Sequence, residues 1–332
     1  MEIAKYQNAY TLVDCANTSF KFSKIKSDSH PTNKSITLSN GELKIHKQHR
    51  WYEGSVSVCE RRSLEGFQNF LKDVEVTDTF TLGCINQHEN WFDGADIEWV
   101  EYGDRKPPDD RDTSVYHHSR ITDFFKFMEG VPSLILFAIV GTVGSLESAL
   151  NNLRQIDPAL KNSALLVVPS NTGHISEEST GEQLVGEDGY HIYALVKNGA
   201  DIPRYGDVFT KRAWLLGHGW IEALERGEYV QRQLVNQDAF SPGFAIDEAP
   251  VNLGEGLIQD RPDTMIIPGD LLDTSRLPDL DQEELADYLH VVEEAKYDKA
   301  FETVFDSGHC IEPRKTAEAY RSETIRLTET YV

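Results

Sequence analysis

Leu134-Ile135-Leu136-Phe137-Ala138-Ile139-Val140, opened by Pro132-Ser133 and closed by Gly141-Thr142, is the stretch from which the rest of the chain is read. Seven apolar residues bounded by turn formers predict a buried central strand. After Gly144, Ser145 is placed to cap a helix with Glu147 in its first turn, and Leu146, Ala149, Leu150, Leu153 and Ile156 recur at helical spacing. A strand, a short turn and a helix form an α/β unit, in which ligands sit at the C-terminal edge of the strand. Ala138 and Val140 occupy that edge, and both are chemically inert.

Upstream, Lys34 to Lys47 alternates apolar residues on both sides of Asn40-Gly41, which predicts a β-hairpin closed by a two-residue turn. A short strand follows at Val56-Ser57-Val58, then an amphipathic helix from Leu64 to Leu71 with Ser63 as N-cap, then a strand at Thr79–Gly83. Residues 86–116 are rich in acidic, proline and aromatic residues and read as a long surface loop.

Downstream, Asn162–Ser170 and Tyr190–Val196 are expected as strands on either side of a turn-rich excursion. A helix is expected from about Asp207 to Glu225, kinked at Gly217 and Gly219, followed by a strand over Tyr229–Asn236. From Pro268 the chain turns strongly acidic, with helical spacing from about Asp281.

At 332 residues, 39% hydrophobic and 10% aromatic, the composition is that of a folded globular chain with one large or two moderate domains. No apolar run approaches the roughly 20 residues that a membrane-spanning helix needs, and the N-terminus lacks a signal-peptide core, so a cytoplasmic location without membrane partners is expected. Four scattered cysteines suggest neither a disulfide framework nor a zinc site. The net charge is -23, but residues 1–62 hold ten Lys+Arg against six Asp+Glu, a net +4 that leaves -27 for the rest. Any phosphate-binding patch must therefore be local, and binding to duplex DNA weak.

The stretch SRITDFFKFMEGVPSLILFAIV at 119–140 resembles the approach to the first catalytic motif of archaeo-eukaryotic-type primase-polymerases of phages and plasmids. The likeness continues in Pro169-Ser170, the Thr-Gly-Glu-x-Leu-x-Gly loop and Gly-x-His-x-Tyr ending at Tyr193, and again in Tyr229–Asn236 and SPGFAIDEAP. It implies an α/β (α+β), two-lobed primase-like fold with a central mixed sheet and an RRM-like catalytic lobe. The expected parts are an N-terminal lobe at 1–115, the catalytic lobe at 116–265 and an acidic helical region at 266–332. It also implies that the strands ending at Val140, Tyr193 and Asn236 lie side by side, with Ala138, Val140, His191 and Asn236 facing one cleft.

In that family the first strand ends Asp-x-Asp and a third aspartate follows in the later motif, together holding Mg²⁺ or Mn²⁺ for nucleotidyl transfer. Here Ala138, Val140 and Asn236 stand at those positions. An engineered knockout changes one or two aspartates to Ala or Asn, which fits Ala138 and Asn236 but not Val140. A naturally degenerate site is the simpler reading. Asp238 is the weak candidate for a surviving metal ligand, since it shares strand parity with Asn236, and Asp247 lies nearby in sequence.

The resemblance assigns phosphate contacts to His191 and Arg232, with Ser170 beside them and Lys211 and Arg212 on the adjoining helix. Each also has an ordinary structural explanation as a bonded strand histidine or a surface ion pair. His117, His118 and His174 have no spacing that builds a metal site. Two functions remain open: a replication protein acting on single-stranded DNA and nucleoside triphosphates but deprived of its metal clamp, or a non-catalytic module binding nucleotide, nucleic acid or protein, as in regulation or phage-host conflict. The acidic surface favours a protein partner, or a surface that mimics nucleic acid.

Overall fold

The computed structural model describes residues 18–27, 31, 33–39, 41–46, 53–85, 96–99, 116–118, 125–139, 145–187, 189–224 and 228–306. Val140 lies outside the described residues. The first elements are β1 (Phe20–Ser27), β2 (Ser35–Ser39), β3 (Glu42–His46), β4 (Glu53–Arg61), α1 (Leu64–Lys72), β5 (Asp78–Thr81) and β6 (Cys84–Ile85). Next come β7 (Asp96–Trp99), β8 (Tyr116–His118), β9 (Phe125–Lys126), β10 (Ser133–Ala138), α2 (Leu146–Ile156), β11 (Leu165–Pro169), β12 (Ile175–Glu177), β13 (Gln183–Val185) and β14 (Tyr190–Val196). The last are α3 (Ile202–Leu215), β15 (Gly219–Ala223), β16 (Tyr229–Gln233), β17 (Asn252–Leu253), β18 (Leu257–Gln259), β19 (Met265–Ile267) and α4 (Gln282–Asp306). The chain mixes helices and sheets and divides into two compact units, Met1–Asp207 with Val235–Pro278, and Val208–Leu234 with Asp279–Val332. The first unit thus draws on all three segments expected from the sequence.

Local chemistry accounts for several elements. Gly41, at φ +80°, turns β2 into β3, which pair in register from Ser35↔His46 to Ser39↔Glu42. Ser63 and Ser145 accept from the backbone N–H of Gly66 and Ser148 and so cap α1 and α2.

In the first unit a four-stranded sheet runs β10-β14-β11-β19 and is antiparallel at every pairing. This corrects the expected mixed sheet for these strands: β10 and β11 do run parallel, but β14 returns between them and pairs with both. One face of the sheet presents Leu136, Leu166 and Tyr193 to Phe22, Phe67, Phe70 and Phe80. Phe67 meets the Tyr193 ring at 5.2 Å, and each buried phenylalanine contributes roughly 1.5–3 kcal/mol of apolar transfer. The opposite face sets Phe137 against Tyr205 and Phe240. A second sheet, β5-β1-β4-β7-β8, is antiparallel except at β7–β8. Because β7 pairs with β4, the expected loop over 86–116 contains a strand at Asp96–Trp99.

The second unit corrects the expected 207–225 helix. Gly217, at φ +78°, ends the helical course after Leu215. A Cβ on Gly219 would come within 2.1 Å of the Trp214 ring, so only glycine lets the returning strand pass. Gly219–Ala223 becomes β15 and pairs with β16, and Trp214, Ile221 and Val292 form a small core with α4. Asp281 and Glu284 cap α4 reciprocally: Glu284 N–H donates to Asp281 Oδ1 at 2.9 Å, and Asp281 N–H donates to Glu284 Oε2 at 3.1 Å.

Candidate functional site

The site is built on the end of the four-stranded sheet. Ala138 on β10, His191 on β14 and Val168 on β11 are register partners, so the imidazole is flanked by a methyl and an isopropyl group. Gly189 makes the close approach possible: at φ +98°, a Cβ there would meet the Ile139 carbonyl oxygen at 2.8 Å. Beyond β10, the N–H of Ile139 donates to Tyr190 O and the N–H of Asn236 donates to Ala138 O, each at 2.8 Å. Three positions that the resemblance assigns to nucleotide chemistry, Ala138, His191 and Asn236, are therefore backbone neighbours.

No strand ends at Asn236, however. β16 stops at Gln233, and Asn236 caps a 3-10 turn over Gln237–Phe240, its Oδ1 accepting from Asp238 N–H at 3.0 Å. The strand parity expected to bring Asp238 onto the face of Asn236 does not apply, because a short polar side chain that can bond its own backbone favours the turn. Asp238 is exposed.

Behind His191 lies a buried carboxylate, Glu248, whose side chain is 1% exposed. Its Oε1 stands 2.5 Å from His191 Nδ1 and accepts from the Tyr193 hydroxyl at 2.7 Å, while Oε2 accepts from Arg261 Nη2 at 3.3 Å. Burial alone would push the Glu248 carboxyl up, but the charges of His191 and Arg261 and the hydrogen bonds from His191 and Tyr193 outweigh it and hold the group below the usual range. Burial, reinforced by Glu248, pushes the Tyr193 hydroxyl well up, so it remains a donor. Arg261 also donates through Nε to Pro169 O at 2.8 Å.

The turn after β11 is held from several sides. Asn171 Nδ2 donates to Asp247 O at 3.0 Å and Ala249 O at 3.3 Å, and its Oδ1 accepts from Lys34 Nζ at 2.9 Å. Gln259 Nε2 donates to Asn171 O at 3.0 Å and Gly173 O at 2.8 Å. Ser170, half-buried, shares a 2.9 Å hydroxyl hydrogen bond with Thr172. Burial pushes the Asp247 carboxyl up against the opposing charge of Lys34. His174 has φ +57° and is fixed through its backbone, its N–H donating to Gly186 O and its carbonyl accepting from Asp260 N–H.

The remaining expected residues belong to other elements. Arg232 lies on β16 in the second unit, where its Nε donates to Glu222 Oε2 at 2.6 Å across the hairpin. Lys211 and Arg212 belong to that unit too, and Arg212 forms a two-pronged pair with Glu284 at 2.9 and 3.2 Å. His117 and His118 lie on β8. Among the described residues, no three His, Cys, Asp or Glu side chains form a metal-holding group. The residues at the expected clamp do not fit Mg²⁺ or Mn²⁺: Ala138 offers no side-chain ligand, and Asn236 uses its one side-chain oxygen as a cap.

Sequence reasoning missed Glu248 and Arg261. Neither stands in a spacing pattern with His191, since 57 residues separate His191 from Glu248. Pro250, two residues on from Glu248, was the nearest local signal, and it marks a turn rather than a ligand. Comparisons with family models, with curated proteins and with solved structures return no match. Among the described residues, no helix is long and apolar enough to cross a membrane.

Proposed function

We propose that this chain is a primase-polymerase-like protein of a phage, plasmid or mobile element that has lost nucleotidyl transfer and keeps a histidine for holding phosphate, on a nucleoside triphosphate or single-stranded DNA. The observation that carries the reading is the adjacency of Ala138, His191 and Asn236 at one sheet end, with the imidazole backed by a buried carboxylate. Phosphoryl transfer depends almost wholly on positioning and charge stabilisation, so losing the metal clamp removes several kcal/mol of transition-state stabilisation. One imidazole holds an anion but neither activates a primer hydroxyl nor steadies the leaving group as paired cations do. Arg232 belongs to the other unit, where its Nε donates to Glu222.

Primer extension with Mn²⁺, run beside binding of metal-free ATP and of single-stranded DNA, tests the proposal. The unmodified chain should bind ATP or single-stranded DNA and extend nothing, and the triple change Ala138→Asp, Val140→Asp and Asn236→Asp should gain extension. Robust extension by the unmodified chain, or binding of neither ATP nor single-stranded DNA, overturns the reading.

A further inference from the structure

The network around Glu248 determines more than the position of His191. An ionised carboxylate has no proton to donate, so with Glu248 Oε1 at 2.5 Å the imidazole must carry its proton on Nδ1. Tyr193 donates to the same oxygen and Arg261 to the other, so the carboxylate is supplied with donors on both sides while sealed from water. The His191 side chain is 25% exposed, and Nε2 is the ring nitrogen left for a ligand. Arg261 ties the arrangement to the end of β11 through Pro169 O.

We propose that Glu248 is a positioning residue: by accepting Nδ1–H it makes Nε2 of His191 the atom that meets the anionic end of a polyphosphate ligand, with Arg261 as the strap that holds Glu248 in place. The inference rests on the phosphate reading given above. A neutral His191 held in this way turns a lone pair toward the ligand, whereas a protonated one turns an N–H. Only the second donates to a phosphate oxygen. The neighbouring strands add no charge, since Ala138 and Val168 flank the ring. Charge near the ring comes from Glu248, Arg261 and Asp247, and from Lys34 through its tie to Asn171.

Two measurements on the full chain test this. Long-range ¹H–¹⁵N NMR reads the tautomer of the neutral His191 ring in the free protein, and calorimetry with sodium tripolyphosphate reads affinity. The neutral wild-type ring should be the Nδ1–H tautomer. Glu248→Gln should scramble the tautomer and weaken binding about tenfold, the order expected for losing a hydrogen bond to a charged group. A wild-type ring in the Nε2–H tautomer overturns the positioning role without any variant, even if Glu248→Gln does not fold. A wild-type tautomer and affinity in a folded Glu248→Gln variant overturn the inference alone, whereas a wild-type chain that binds none of tripolyphosphate, ATP and single-stranded DNA overturns the phosphate reading and the inference with it.

Discussion

Two arginine–glutamate pairs, one in each unit, reverse the order that their lengths suggest. Arg232 and Glu222 stand 2.6 Å apart across the β15–β16 hairpin, with both side chains close to half exposed. Arg261 and Glu248 stand 3.3 Å apart, but the Glu248 side chain is 1% exposed and has two further donors on its other oxygen. Water and salt screen the first pair and leave it worth about 0–1 kcal/mol. The second is held where an unpaired partner has no solvent to turn to, so breaking it costs far more than its separation implies. Burial, not distance, ranks the two.

The comparison breaks most visibly under truncation. Glu248→Ala leaves Arg261, Tyr193 and His191 without their shared acceptor and should lower unfolding stability by about 3–5 kcal/mol, against less than about 1 kcal/mol for Glu222→Ala. Urea denaturation of both variants is the check, and equal losses would undo the ranking. Raising NaCl from about 0.1 to 1 M should shrink the Glu222 effect further and hardly touch the other, because exposed pairs are screened within a few ångströms at high salt.

A smaller effect separates two glycines that both have positive φ. Gly189→Ala meets the Ile139 carbonyl at 2.8 Å as well as an unfavourable backbone, whereas Gly217→Ala, at φ +78°, has nothing within 4 Å. The first should cost about 2–4 kcal/mol and the second about 1 kcal/mol. Only the first should also disturb the His191 imidazole resonances, because Gly189 sets the approach of β14 to β10.

The smallest effect concerns pH, where adjacent residues should pull in opposite directions. Glu248 has its folded pKa depressed, so its contribution is present above its ordinary value of 4.5 and is lost as pH falls through the folded value. Asp247 has its folded pKa raised by burial, so its ionisation opposes folding at neutral pH and the penalty is relieved as pH falls. Asp247→Asn should therefore raise the melting temperature slightly at pH 7 and leave it nearly unchanged near pH 3. Scanning calorimetry across that range would count against this assignment if the variant gained most in acid.

Elements specified by a few neighbouring residues were legible in the sequence. Asn40-Gly41 announces its hairpin, Ser63 and Ser145 announce their helices, and the apolar run Tyr190–Val196 matches β14 at both ends. One failure is local, the Asn236 cap that ends the expected strand, and the others arise where a long-range partner decides the outcome. The segment AWLLGHGWIEAL has helical spacing throughout, and only the Trp214 ring facing Gly219 explains why it folds back. The adjacency of Ala138, His191 and Asn236 was inferred through the family resemblance, while the acceptor behind His191 comes from a segment without periodicity.

The second unit is assembled from two stretches of chain, with Val235–Pro278 of the first unit lying between them. During synthesis on a ribosome, every residue of the first unit is made before α4 begins at Gln282. The β15–β16 hairpin, whose Ile221 packs with Val292 of α4, emerges early and must wait with that face uncovered. Vectorial synthesis thus gives the first unit a head start in folding and leaves the hairpin with an apolar face in need of shelter.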